Sequence, residues 1–310
     1  MYTILIIIFL IIILLNFLYI RTNDYKNKIS QLEKFKKVPT ELEIINLGSS
    51  YSRNAFDYNL TNYKGFNFAL QPQSLSYDFR ILKNYKDNIK KNGIVLIVLP
   101  NFVFGFLDYE NSSINNRYYY FLKKEYILNY SIIKHKLIKY FPLFFNVRGV
   151  LRIIKDVKLL NLEETRSCTT REEVVVEAKN RINGWIKQFN LKNIVNKDDL
   201  PLEIREIFKK TQKVLSEIIE YCLENELRPV IVVPPCSKEI NDFFSDEYLN
   251  EILYNNIKLG NSKNILCLDY LKDKRFQDYR LYINSDMLNK KGREKFTKIV
   301  IEDLKNNNYI

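Results

Sequence analysis

A serine on a tight turn is the first group in this chain that could do chemistry. The apolar run Leu42–Leu47 leads directly into Gly48-Ser49-Ser50, and residues 51–56 have the composition of a helix start. A serine nucleophile needs exposure on such a turn, a neighbouring base, and amide donors aimed at a developing oxyanion. Ser50 is therefore a candidate nucleophile, and the amides that open the helix are candidate anion donors. The ordinary alternative is a serine that only caps the helix.

Three further segments come later in the chain. Asn67-Phe68-Ala69-Leu70-Gln71-Pro72-Gln73-Ser74 includes the end of the second apolar run, and Leu99-Pro100-Asn101 includes the end of the third. The block Asn284-Ser285-Asp286-Met287-Leu288-Asn289-Lys290-Lys291-Gly292 precedes the last helical pattern. In this order the four segments resemble the conserved blocks of the SGNH (GDSL-type) hydrolase superfamily. The likeness runs from about Glu41 to the C-terminus and is greatest to membrane-anchored relatives in cell-surface polymer acylation, such as the D-alanyl transfer proteins of teichoic acid and the alginate acetylation proteins.

The resemblance implies roles for particular residues. Ser50 takes the nucleophile position, and its amide is an oxyanion donor in the turn that Gly48 and Ser49 form. Asn101 corresponds to a further oxyanion donor. Gln71 or Gln73 stands near a position where relatives have glycine. The candidate oxyanion and binding residues are Gly48, Ser49, Asn101, Gln71 and Asn289.

The closing block lacks the residues that would move a proton. Relatives carry Asp-x-x-His-Leu-Asn-x-x-Gly here, whereas this chain has Asn284 and Met287 at the Asp and His positions. The tail Leu288-Asn289-x-x-Gly292 is kept, and it is a strand-to-helix turn signal in its own right. Loss of the base from a serine triad removes several orders of magnitude in rate, so an efficient esterase is disfavoured.

Two residues are candidates to replace the base. Asp286 is the nearer in sequence, but a carboxylate with an ordinary pKa is a poor base for serine at neutral pH. His135 is the only histidine and lies in a helical pattern far from the blocks, where a solvated or capping role is favoured. Asp286 therefore remains a weak candidate for orienting a water or a hydroxyl.

The elements that would position these residues alternate along the chain. Apolar runs at 42–47, 66–70, 94–99, 230–233 and 265–268 predict buried strands. Helical patterns at 75–89, 204–222 and 296–304 lie between or after them. This alternation predicts an α/β fold with a parallel sheet covered on both faces, in the flavodoxin-like order that the SGNH resemblance also implies. Ligands of such sheets bind beyond the carboxyl ends of the strands, where Ser49 and Ser50 fall.

Residues 106–202 interrupt the alternation. Helical patterns at 118–140 and 174–189 predict a mostly helical insertion that could cover the active edge of the sheet. Trp185 lies in it, and packing is the expected role of this single tryptophan.

The N-terminus predicts a membrane anchor. Ile4–Ile20 is interrupted only by Asn16 and Tyr19, and the run is long enough to span a bilayer. No small-residue cleavage site follows it, which favours an uncleaved anchor at 1–22, a polar stalk or short helix at 23–40 and the α/β domain at 41–310. Basic residues after the run favour a cytoplasmic domain by the positive-inside tendency. The resemblance implies the opposite, extracytoplasmic side.

Charge and cysteines restrict the classes of partner. The formal net charge of +12 favours an anionic partner such as phospholipid or a teichoic-acid-like polymer. Nucleic acid is excluded because no recognition motif accompanies the lysines and the anchor argues against it. The four cysteines, Cys168, Cys222, Cys236 and Cys267, lack metal-ligand spacing, so neither a metal nor another cofactor is predicted. Cys222 and Cys267 fall inside apolar helix or strand patterns, which favours buried thiols over a disulfide framework.

Two functions remain open. The first is an anchored SGNH-like protein that works beside a membrane-bound O-acyltransferase in acylation or deacylation of a surface polysaccharide, binds the acyl donor or the polymer, and is catalytically weak or inactive. The second is a tethered interaction scaffold without catalysis, which faces the cytoplasm.

Overall fold

The computed structural model describes residues 2–105, 113–146, 149–157, 170–188 and 200–310. The chain forms two compact units, one of Met1–Val38 with Tyr109–Glu164 and one of Pro39–Asp108 with Thr165–Ile310. We call them the anchor unit and the sheet unit. The segment 106–202, predicted as one insertion, is therefore divided between the two units.

Five parallel strands form the sheet in the described part of the sheet unit, in the order β2-β1-β3-β4-β5. They are β1 (Leu42–Leu47), β2 (Gly65–Asn67), β3 (Ile89–Val98), β4 (Arg228–Val233) and β5 (Cys267–Asp269). Each predicted run overlaps a strand, so the parallel α/β sheet is confirmed. The chain order reverses between β1 and β3, and such a reversal opens a crevice at the carboxyl ends of the two strands.

Strand β2 ends earlier than its apolar run predicted. Phe68 and Leu70 are buried, but their amides donate to the carbonyls of Asn46 and Gly48 as the chain leaves the ladder. The apolar run 66–70 therefore extends past the strand, because buried residues beyond the end of β2 continue the apolar pattern.

Twelve α-helices lie in the described residues. They are α1 (Tyr2–Tyr19), α2 (Asn23–Glu33), α3 (Ser50–Ala55), α4 (Leu75–Tyr85), α5 (Ile132–Tyr140), α6 (Gly149–Val157), α7 (Arg171–Gln188), α8 (Leu202–Glu224), α9 (Lys238–Asn241), α10 (Asp246–Leu249), α11 (Asn255–Gly260) and α12 (Lys290–Asn306). The single helix predicted at 118–140 is wrong. Asn129 has a φ of 50°, and Ser131 caps α5 by accepting from the Lys134 amide at 3.3 Å, so the helical turns before residue 130 are separate from α5.

The core of the sheet unit covers both faces of the sheet. On one face, α12 packs Phe296, Val300 and Leu304 against alternate residues of β1, β3 and β4. The residues between them, such as Ile45 and Ile231, are also fully buried and point to the other face. There α8 packs against β4 and α4.

The anchor unit contains the one described helix that is long and apolar enough to span a membrane, α1, with a mean hydropathy of 2.7. The predicted polar stalk begins as helix α2, capped by Thr22, and its Leu32 and Phe35 are buried. Phe35 stacks on Phe121 with ring centroids 4.0 Å apart. The segment after α1 is thus folded into the unit and is not a bare polar spacer.

Candidate active site

Gly48 shapes the turn that leads from β1 into α3. Its φ is +126°, a backbone conformation that L residues with a side chain rarely adopt, and its amide donates to Asp78 Oδ1 at 2.7 Å. The Gln73 amide donates to the Gly48 carbonyl at 3.2 Å and also to Asp78. Gln73 of the second block and Asp78 of α4 therefore hold the turn in place through side-chain hydrogen bonds.

Replacement of Gly48 by alanine should destabilise the protein. A Cβ at this position would lie 2.8 Å from Ser52 Cβ and 3.2 Å from the Val98 carbonyl oxygen, in addition to the strain at positive φ. We expect a loss of about 2 kcal/mol in the free energy of unfolding, measured by chemical denaturation in detergent. Gly184→Ala is the matched control, because no atom lies within 4 Å of its added Cβ. Equal stabilities for the two variants would contradict this role for Gly48.

Ser50 is the first residue of α3 and is 9% exposed. The Ser49 side chain makes no capping hydrogen bond, so the first-turn amides keep the unpaired state usual for a helix start. In the part of the chain that the structure describes, no side chain hydrogen-bonds the Ser50 hydroxyl. The turn thus offers a hydroxyl and amide donors, and it lacks a base.

The closing block reaches the same turn. Asn284 Oδ1 accepts from the amides of Asp286 and Met287 at 3.2 and 2.8 Å, which folds the block into a local turn. The Tyr51 hydroxyl donates to Asp286 Oδ2 at 2.6 Å, and Asn54 Nδ2 lies 3.4 Å from Met287 Sδ. Two segments more than 230 residues apart in sequence are therefore in contact along α3.

Asp286 belongs to a partly buried ionic cluster with Arg181 and Glu177. Arg181 on α7 lies against its carboxylate at 3.2 and 3.3 Å, and the same guanidinium lies 3.2 Å from Glu177. Glu177 accepts hydrogen bonds from the Ser285 amide at 2.9 Å and from the Ser285 hydroxyl. Asp286, predicted as a weak candidate for orienting a water or a hydroxyl, therefore accepts from the hydroxyl of Tyr51 and pairs with Arg181.

Burial raises the pKa of Asp286 to about 6, although Arg181 and the Tyr51 hydroxyl lower it. Burial and the neighbouring Asp286 raise the pKa of Tyr51 well above its ordinary value, so this hydroxyl stays protonated as a donor. Burial, with Asp286 nearby, also raises the pKa of Cys236. None of these groups is a strong base at neutral pH.

The raised pKa of Asp286 predicts a pH-dependent stability. Between about pH 4 and pH 6 the folded state keeps a proton on Asp286 that the unfolded state releases, so stability falls as pH rises through this window. We expect the free energy of unfolding of the wild type, relative to Asp286→Asn, to fall by roughly 2 kcal/mol from pH 4 to pH 7. Urea denaturation of both proteins at a series of pH values measures this difference. A difference that stays constant or rises would contradict the assignment.

The other predicted site residues differ in burial and in the contacts that they make. Asn101 is 1% exposed and follows β3, the neighbour of β1. Its Oδ1 accepts from the Phe102 amide, and its Nδ2 has no hydrogen-bond partner among the described residues. Gln71 is exposed. Asn289 caps α12 by accepting from the Gly292 amide at 3.0 Å and also donates to carbonyls of the preceding loop, so its observed contacts are structural. His135 lies in the anchor unit, with Nδ1 3.0 Å from the Tyr130 hydroxyl.

Trp185 and two of the cysteines are buried, and a third cysteine is exposed. Trp185 is buried against Phe102, with ring centroids 4.0 Å apart, as the packing role predicts. Cys222 and Cys236 are buried free thiols, whereas Cys267 is exposed, so its predicted burial is wrong. It lies on β5, the edge strand, where one side of the strand has no neighbour. Cys168 lies outside the described residues.

No group of three or more His, Cys, Asp or Glu side chains in the described residues could hold a metal ion. Sequence reasoning missed Arg181 and Glu177, because an acidic and a basic residue four positions apart on a helix usually form an exposed pair. It also missed Tyr51 as the partner of Asp286. The only available signal was the adjacency of Tyr51 to the serine turn.

Comparisons of this chain with protein-family models and with curated proteins find no match. The arguments for function therefore rest on the residues and contacts described above.

Proposed function

We propose that this chain is a membrane-anchored, SGNH-like protein that assists the O-acylation of a cell-surface polysaccharide or related polymer. In this proposal the Ser50 turn binds an acyl or anionic group without efficient turnover. A membrane-bound O-acyltransferase is the partner that performs the transfer. The domain lies on the extracytoplasmic side, as the resemblance implies.

The strand order supports the SGNH-like part of the proposal. The order β2-β1-β3-β4-β5 is that of flavodoxin-like folds, in which the ligand binds at the reversal between β1 and β3. Ser50 follows β1 and Asn101 follows β3, so both lie at this edge of the sheet. Asn101 Nδ2 has no hydrogen-bond partner in the described part of the chain, and it is the kind of donor that an acyl oxygen would use.

One observation supports binding over turnover. Asp286, the only acid of the closing block, is bound to Tyr51 and Arg181, and the Ser50 hydroxyl has no base among the described residues. A serine hydroxyl without a base is a weak nucleophile. This geometry favours a binding protein over an esterase.

The proposal is tested on the full-length protein in detergent by two measurements. Hydrolysis of p-nitrophenyl acetate should be equally slow for the wild type and Ser50→Ala. An O-acetylated oligosaccharide should raise the melting temperature of the wild type, and Asn101→Ala should lose most of this stabilisation. Rapid hydrolysis that Ser50→Ala abolishes, or an oligosaccharide that stabilises neither protein, would contradict the proposal.

The second candidate is a cytoplasmic scaffold, which the basic residues after α1 favour. A phosphatase reporter that folds only outside the cytoplasm, fused at the C-terminus, separates the two. Activity of this reporter excludes the scaffold in its cytoplasmic form. A fluorescent protein that matures only in the cytoplasm should then stay dark.

A further inference from the structure

The anchor unit exposes large apolar side chains outside α1. The six most exposed, at 49–69%, lie on α5, on α6 and on the turn between them. They are Ile132, Ile133, Tyr140, Phe144, Leu151 and Ile154. We call them the α5–α6 apolar surface.

The opposite faces of the same elements are packed. Ile138, Leu143 and Ile153 are buried, and the last two form a cluster with Tyr19 at the end of α1. Exposure is therefore confined to the outward face of each element. On α5, Ile132 and Tyr140 are eight residues apart, a spacing that places both on one side of the helix.

Contacts with α1 determine the level of this surface along the α1 axis. Asn16 Oδ1 accepts from the Leu143 amide at 3.0 Å, and Asn16 Nδ2 donates to the Ile12 carbonyl at 2.9 Å. Asn16 lies four residues inside the end of the apolar run, which is about 6 Å along the helix axis. Phe144 follows Leu143 directly, so it lies at the level of the last apolar turn of α1.

These contacts also explain how the side-chain amide of Asn16 is accommodated in the apolar run. A polar side chain inside a bilayer is unfavourable unless its hydrogen-bonding groups are paired. Both ends of the Asn16 amide are paired, and the partner amide of Leu143 belongs to the turn that carries Phe144.

The charge on α5 matches an anionic lipid surface. Its sequence contains Lys134, Lys136 and Lys139 and no acidic residue, and Lys136 and Lys139 are exposed. Lysines beside apolar side chains at a membrane surface are attracted to anionic headgroups. A soluble partner would not explain why this surface sits at the depth of the last turn of α1.

We propose that the α5–α6 apolar surface inserts into the headgroup and acyl-chain boundary of the bilayer that α1 spans, with anionic phospholipid as its partner. This rests on the proposed function in one respect, that α1 is a membrane anchor. The anchor unit would then contact the bilayer in two ways, through the spanning helix α1 and through the interfacial α5–α6 apolar surface.

Site-specific tryptophan fluorescence in vesicles tests the proposal. Full-length Phe144→Trp, Leu10→Trp and Leu259→Trp are reconstituted separately in vesicles of brominated phosphatidylcholine and phosphatidylglycerol. The emission of wild-type Trp185 is subtracted. The three positions are similarly exposed, at 54%, 57% and 64%, and lie on the α5–α6 apolar surface, on α1 and on the sheet unit. Ile133→Trp is a second reporter on the α5–α6 apolar surface.

We expect Phe144→Trp and Ile133→Trp to be blue-shifted and quenched by brominated lipid, with a loss of emission comparable to that of Leu10→Trp. Leu259→Trp should be unquenched. Quenching of Leu10→Trp alone would overturn the interfacial surface and leave the anchor intact, whereas quenching of none would overturn the anchor as well. Blue-shifted but unquenched emission at positions 133 and 144 would assign the surface to a protein contact and overturn the lipid assignment.

Discussion

Arg181→Met is expected to lower the free energy of unfolding by about 3 kcal/mol, because it leaves two carboxylates without their shared cation. Arg181 lies 3.2 Å from both Asp286 and Glu177, and the Asp286 side chain is fully buried. Methionine keeps the length of the side chain and removes the charge. The expected loss is at the lower end for buried pairs, since Arg181 is 29% exposed.

Two further variants separate the charge from packing. Arg280→Met removes an arginine that is 72% exposed and paired with Asp278, and it should change stability by less than about 1 kcal/mol. Adding Asp286→Asn to Arg181→Met should recover part of the loss, because the uncompensated charge is then gone. Urea denaturation of the single and double variants measures the coupling. Additive effects would show that Arg181 does not hold Asp286 through charge.

Restoring a base is expected to change the rate of ester hydrolysis by about 10²-fold, at the lower end for general base catalysis. The variant is Met287→His with Asn284→Asp. Asn54 is four residues after Ser50, on the same face of α3, and its amide contacts Met287. Aspartate at 284 keeps an oxygen that can accept from the amide of residue 287, as Asn284 does.

The matched control is Met287→Gln with Asn284→Asp, which keeps size and polarity without a titratable ring. Hydrolysis of p-nitrophenyl acetate at pH 8 by the histidine variant should exceed that of this control, and adding Ser50→Ala should abolish the gain. A gain that persists without Ser50 would place the chemistry elsewhere. No gain, with a stable fold, would mean that the closing block does not face the serine.

The sheet could be predicted because its strands are continuous apolar runs bounded by polar residues. The same reasoning failed at residues 68–70, where buried side chains belong to coil, and at Cys267, where an apolar run ends on an edge strand. Contacts in the folded chain determine where β2 ends and whether Cys267 is buried. The pattern of apolar residues along the sequence does not contain these contacts. The helix break at Asn129 and Ser131 is similar, since it depends on one positive φ and one capping hydroxyl.

Only two parts of the candidate site, the serine turn and the closing block, could be predicted from the sequence. Gly48 and a closing block without histidine are visible in sequence, and contacts of Tyr51 and Asn54 bring these two parts together. The role of Asp286 could not be predicted, because it depends on Arg181, which comes from a helix more than 100 residues earlier in the chain. Whether a carboxylate is a base or a structural anion is set by the partners that folding brings to it.

The rate at which a fluorophosphonate labels Ser50 decides whether this serine is a working nucleophile. The full-length wild type, Ser50→Ala and the Met287→His, Asn284→Asp variant are treated side by side in detergent, and the modified residue is located by peptide mass spectrometry. We expect the wild type to react no faster than Ser50→Ala, while the histidine variant is labelled at Ser50 and so demonstrates access to the turn. Rapid labelling of wild-type Ser50 would contradict a site without a base.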